Sequence, residues 1–161
     1  MNGKGEPMMS STVKRVEENT DEAINDRIYR QTVRNLSRFA TQGSTEINRR
    51  LEELDHEWDV ERTLEANAAT LALFGIGLGA FVDRRFFLFP ALVTGFLLQH
   101  AVQGWCPPLP VLRRLGIRTA REIDRERLAL KVLRGDFQDL RKVPPGTHNI
   151  DIEAIMKAVN R

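Results

Sequence analysis

The stretch ANAATLALFGIGLGAFV, residues 66–82, decides the fold together with FFLFPALVTGFLLQHAVQGWCPPLPVL, residues 86–112. Neither run holds a charged residue, and only Asp83, Arg84 and Arg85 lie between them. As a helix the first run is about 25 Å long against a hydrocarbon core of about 30 Å. Leu64 and local adaptation of the bilayer close that gap. From Phe86 to Leu98 the only polar residue of the second run is Thr94, and the run continues to Trp105, long enough to cross. Pro90 falls in its first turns, where a missing backbone donor costs little. Trp105 stands where an aromatic belt residue would, and Pro107, Pro108 and Pro110 stop the helix beyond it. A soluble hairpin would need further apolar helices to cover two cylinders that are apolar all round, and the flanks offer only narrow seams. The sequence therefore predicts an all-α fold: a two-helix transmembrane hairpin, spans about 66–82 and 86–105, with amphipathic helical arms on both sides.

Outward from the hairpin the chain turns polar. Residues 1–18, rich in Gly, Met, Ser and Lys, read as a disordered N-terminus with no apolar core of signal-peptide type. Residues 19–65 read as an amphipathic arm. Asn19 with Glu22 forms a capping box there, Ile24, Ile28, Leu36 and Phe39 follow at helical spacing, and Gly43-Ser44 is a break with Ser44 as N-cap. Ile47, Leu51, Leu54 and Trp58 then make a narrow apolar seam. Residues 113–143 read as a basic helical arm, opened by a second capping box at Thr119 and Glu122 and closed at Gly135-Asp136. Residues 144–161 read as a linker, Pro144-Pro145-Gly146, and a short helix opened by Asn149 or Asp151.

Charge divides along the same lines. Residues 1–65 carry 14 Asp/Glu against 10 Lys/Arg, whereas residues 113–161 carry 12 Lys/Arg against 7 Asp/Glu. The basic half begins at the end of an apolar helix, which points to an anionic membrane surface rather than nucleic acid. Arg113, Arg114, Arg118, Arg121, Arg125 and Arg127 outnumber the loop's Arg84 and Arg85, so the positive-inside rule puts both termini in the cytoplasm.

Within lipid, small residues mark close helix contact. Ala68, Ala72, Gly75 and Gly79 share one face of the first span, and Ala91 and Gly95 recur on the second. A hairpin turning near Arg84 brings Gly75 to the neighbourhood of Gly95. It also gathers Asn67, Thr70, Gln99, His100 and Gln103 at one depth, where each amide has a partner within reach. His100 without a second His, Cys or facing carboxylate is a poor metal ligand set. Gly75-x-Gly77-x-Gly79 lacks the strand and acidic residue of a dinucleotide fingerprint. The sequence thus calls for no cofactor and no metal.

Gly104-Trp105-Cys106-Pro107 is the motif that stands out. The single cysteine of the chain excludes a disulfide scaffold. Beside several Arg it is a candidate nucleophile, although a helix C-terminus works against a thiolate. With Leu115-Gly116-Ile117-Arg118-Thr119 this motif resembles the YgaP-like two-helix inner-membrane domain of unknown function that follows a rhodanese module. The likeness runs over residues 62–119. It implies a bacterial inner-membrane protein near sulfur metabolism. No Cys-Arg-x-Gly loop is present, so it implies no sulfurtransferase activity of the chain's own. The expectation is a non-enzymatic membrane anchor or interaction protein. Its partners would be the lipid bilayer and either a second copy or another membrane or cytoplasmic protein. The alternative is a thiol or persulfide relay through Cys106.

Overall fold

The computed structural model describes residues 13–138, together with Met156 and Val159. Among these residues the fold is helical throughout. The elements are α1 (Arg15–Glu18), α2 (Glu22–Phe39), α3 (Ser44–His56), α4 (Val60–Phe81), a 3-10 turn (Arg84–Phe87), α5 (Leu88–Gln103), α6 (Leu109–Arg114) and α7 (Ala120–Arg134). The chain divides into two compact units, one of Met1–Arg30 with Trp58–Glu122, the other of Gln31–Glu57 with Ile123–Arg161.

The hairpin lies in the first unit. The Asp59 carboxylate accepts the backbone N–H of Arg62 at 2.7 Å and so caps α4, while Val60 donates its N–H to the Arg118 carbonyl at 2.9 Å. Asp83 caps the 3-10 turn in the same way, accepting from the N–H of Arg85 at 2.8 Å. α5 returns beside α4 and ends at Gly104, whose left-handed φ of 76° lets its N–H reach the His100 carbonyl at 2.7 Å. Pro108 and Pro110 do not only stop α5. They open α6, where missing donors go unnoticed. Val16, Val60, Leu64, Cys106 and Leu109 form a buried cluster at this end of the hairpin, with Leu112 and Ile117 against it.

In the second unit Phe39, Ile47, Leu51, Leu54, Ile123 and Leu130 form the core, flanked by Leu36. Of the seams read from the sequence, Leu36, Phe39, Ile47, Leu51 and Leu54 belong to this core. Glu126, fully buried, accepts from Arg50 Nε at 2.9 Å and from Asn35 Nδ2 at 3.3 Å. At its edge Arg127 pairs with Asp55 at 2.9 Å and with Asp124.

Several boundaries differ from expectation. Residues 13–18 belong to an ordered segment, because α1 buries Val16 under the hairpin end. Asn19 closes α1 instead of capping α2, and the cap of α2 is Asp21, whose carboxylate accepts from Ala23 N–H at 2.9 Å. Ser44 is the first residue of α3, preceded by Gly43 as its N-cap. Trp58 lies beyond α3 and half-exposed, its ring stacked 4.5 Å from the Arg62 guanidinium. α4 begins six residues before the charge-free run, and α5 ends at Gln103. The capping box at Thr119 is as expected: Thr119 N–H donates to Glu122 at 2.7 Å, and Glu122 N–H to Thr119 Oγ1 at 3.2 Å. The linker at 144–146 and the helix at 149 or 151 lie outside the described residues.

Candidate functional site

The expected glycine contacts form only in part. Gly75 and Gly79 are buried. A Cβ on Gly75 would sit 2.7 Å from Pro90 Cδ and 2.8 Å from Phe89 Cδ1, and one on Gly79 would sit 2.8 Å from Phe87 Cδ1. Gly75 therefore meets Pro90, not Gly95. Ala91 and Gly95 are exposed, and a Cβ on Gly95 would meet open space. Ala68 and Ala72 are half-buried. The register differs because Phe86 and Phe87 fold into the 3-10 turn beside Gly79, which tightens the loop.

Several of the polar residues bond within their own helices. Asn67 Nδ2 donates to the Thr63 carbonyl at 2.8 Å and Thr70 Oγ1 to the Ala66 carbonyl at 2.7 Å, each within α4. Gln99 Nε2 reaches Gln103 Oε1 at 3.5 Å within α5. Hydrogen bonding back to the residue's own helix is an alternative open to short polar side chains in lipid. His100 bonds from α5 to α4, and its partner is one the sequence reading missed.

That partner is Glu61. His100 is 2% exposed, and its Nε2 lies 2.9 Å from Glu61 Oε2. Glu61 Oε1 in turn accepts from Arg15 Nη2 at 2.8 Å. Because a carboxylate only accepts, the imidazole donates its Nε2–H to Glu61. Nδ1 has no hydrogen-bond partner among the described residues. Arg15, Glu61 and His100 thus form a string, and among the described residues no group of three or more His, Cys, Asp or Glu converges on a metal position; Cys106 is buried nearby in the chain.

The elements hold this string for identifiable reasons. Gly104 turns the chain so that Cys106 folds back toward α5. A Cβ on Gly104 would stand 2.6 Å from Arg15 Cβ, so only glycine admits α1 here. Asn19 Nδ2 ties α1 down by donating to the Gln103 carbonyl at 3.0 Å. Next to Cys106 lies an apolar cavity of about 330 Å³, lined among others by Leu64, Ala68, Leu71, Val93 and Leu97.

A second polar centre was also missed. Arg113 is fully buried and uses all five of its donors. Nη1 and Nη2 each donate to Glu122 at 2.7 Å, Nη1 also to the Ile117 carbonyl at 2.9 Å, Nη2 to Asn25 Oδ1 at 2.9 Å, and Nε to Thr20 Oγ1 at 3.2 Å. Burial alone would raise the Glu122 carboxyl. The Arg113 guanidinium and the Thr119 N–H overcome this and hold it below its ordinary 4.5. With every donor engaged, this centre holds the fold together and has no valence left for a ligand.

Fold and site define a helical protein with two helices long and apolar enough to cross a membrane. Comparison with known proteins finds no matching family model, no similar curated protein and no similar solved structure.

Proposed function

We propose that this chain is a bacterial inner-membrane protein whose hairpin anchors charged helical segments that bind a partner protein or a second copy. One observation carries the reading: the two candidate spans are only 17% and 11% buried. Leu73 is 70% exposed and Leu88 75%, with Leu71, Phe74, Leu92, Leu98 and Val102 also turned outward. Water would not tolerate so continuous an apolar surface, whereas lipid is its natural solvent. The YgaP-like resemblance over residues 62–119 supports the same location, and the arginines after α5 support a cytoplasmic position for both termini.

The test is fractionation followed by labelling. Membranes washed with carbonate or high salt should retain the chain, and release by salt alone would sink the reading. In a Cys106→Ala background, Arg84→Cys should label from outside, and Ser10→Cys and Leu140→Cys only after permeabilisation. The reverse pattern would invert the topology.

A thiol or persulfide relay through Cys106 is the second reading, resting on the resemblance over residues 62–119. It requires that a soluble sulfur donor leave a cyanide-labile sulfur on Cys106. Failure of every donor to do so would remove it.

A further inference from the structure

In the second unit, α2 and α7 leave an aliphatic groove open between them. It measures about 600 Å³ and is lined chiefly by Leu36, Ala40, Leu128, Ala129, Val132 and Leu133. Leu128 is 56% exposed and Val132 59%. Positions 128, 129, 132 and 133 repeat at the spacing of a helix-packing face, although Ile123 and Leu130 already serve the core from the other side of α7. Lipid does not account for this face, because the same helix carries Asp124, Arg127, Lys131 and Arg134. The groove is also basic. Arg125 lines it, and Arg34 precedes the lining Ser37 by one turn, both arginines exposed. Asn35 bonds Glu126, so their chain neighbours Arg34 and Arg125 stand at the same end of the groove.

We infer that this groove is the docking site for an acidic amphipathic helix of another protein. The inference rests on the partner-binding role proposed above and names the chemistry of that partner. Apolar side chains one turn apart on such a helix settle between α2 and α7, and the small Ala40 and Ala129 admit a close approach. Its flanking carboxylates meet the positive end at Arg34 and Arg125. A second copy paired groove to groove lacks those anions. Its carboxylates beside the groove are already held, Glu126 by Arg50 and Asn35, Asp124 by Arg127 and Asp136 by Arg134. The chain's own Val159 lies elsewhere, its carbonyl accepting from Lys131 Nζ at 2.7 Å among residues of α3 and α7. A bilayer surface would touch Leu128 and Val132 without filling the space between the helices.

The full-length chain in phosphatidylcholine nanodiscs is titrated with two labelled helical peptides, with empty nanodiscs as the blank. One peptide has a leucine stripe flanked by glutamates, and the other has lysines in place of the glutamates. The glutamate peptide should bind, and the lysine peptide about tenfold or more weakly. Leu128→Glu should weaken the glutamate peptide by about tenfold or more. Arg34→Glu combined with Arg125→Glu should exchange the preference between the peptides, a reversal that misfolding cannot produce. Binding of neither peptide, equal binding of both, or binding unchanged in Leu128→Glu overturns the docking site, and carbonate resistance in the same sample spares the membrane anchor. A doubling of mass that Leu128→Glu abolishes would give the groove to a second copy. Leu128→Cys, with Cys106→Ala, shielded from maleimide only in phosphatidylglycerol nanodiscs would give it to the membrane surface. Either result also overturns the inference.

Discussion

Helices α3 and α4 solve opposite problems with opposite residues. In α3 the buried side chains are Ile47, Leu51 and Leu54, and Glu52, Glu53 and His56 are exposed. In the apolar part of α4 the buried positions are Gly75 and Gly79, and Leu71, Leu73, Phe74 and Ile76 are exposed. α3 hides its bulk from water by the hydrophobic effect. α4 turns its smallest residues inward and lets α5 approach, the arrangement the proposed membrane location calls for, since a helix in lipid would gain nothing by hiding Leu. The inversion separates the two helices in a way that total hydrophobicity does not.

The strongest way to break this contrast is to make the same substitution at two leucines. Leu54, 1% exposed, should lose about 2–5 kcal/mol of stability as Leu54→Ala. Leu73→Ala should stay within about 0.5 kcal/mol. Denaturant titration in mild detergent measures both, and a large loss at Leu73 would mean that it packs against protein. Next comes a charge. Leu73→Arg should cost about 2.5–3.5 kcal/mol of membrane insertion in a glycosylation-reporter assay. Leu128, also exposed, should accept Arg silently; matching penalties at both would erase the difference in solvent.

A smaller effect sharpens the register. Gly75→Leu would drive atoms into Pro90 and Phe89 and should cost about 1–3 kcal/mol. Gly95→Leu meets open space and should leave hairpin stability unchanged, so any effect there reports association with a partner. Cysteines at Gly79 and Phe87, with Cys106→Ala, should crosslink, whereas a pair at Gly75 and Gly95 should not. The smallest effect concerns pH. The folded Glu122 carboxyl is held below its ordinary 4.5, so its contribution is fully present above that value and fades as pH falls through the lower folded value. Stability of the wild type should fall in that window more steeply than that of Glu122→Gln, and parallel acid profiles would refute the assignment.

The contrast itself was largely legible beforehand. Charge-free runs need no tertiary information to be seen, and neither do the four- and three-residue steps of Ile47, Leu51 and Leu54. The Thr119–Glu122 box was legible because both partners lie within one turn. What depended on distant geometry was hidden. The hairpin register turns on how Phe86 and Phe87 fold in the loop, and without it Glu61 stood several residues from the level assigned to His100. Arg113 read as one surface charge among six, because its partners Thr20 and Asn25 lie about ninety residues earlier.

That arginine also constrains the order in which the molecule can be completed. Its ligands come from residues 20 and 25, before the hairpin, and from residues 117 and 122, after it. During synthesis Thr20 and Asn25 emerge first, and the acceptor oxygens they offer Arg113 wait until the chain has come back through α4 and α5. A guanidinium cannot shed its charge to ease the wait. The five bonds therefore close only when the two flanks of the hairpin meet at the same end of it. A chain whose two flanks never met would keep the local Arg113–Glu122 pair but leave the Arg113 donors meant for Thr20 and Asn25 without those acceptors, the kind of exposed defect by which quality control distinguishes an unfinished protein from a finished one.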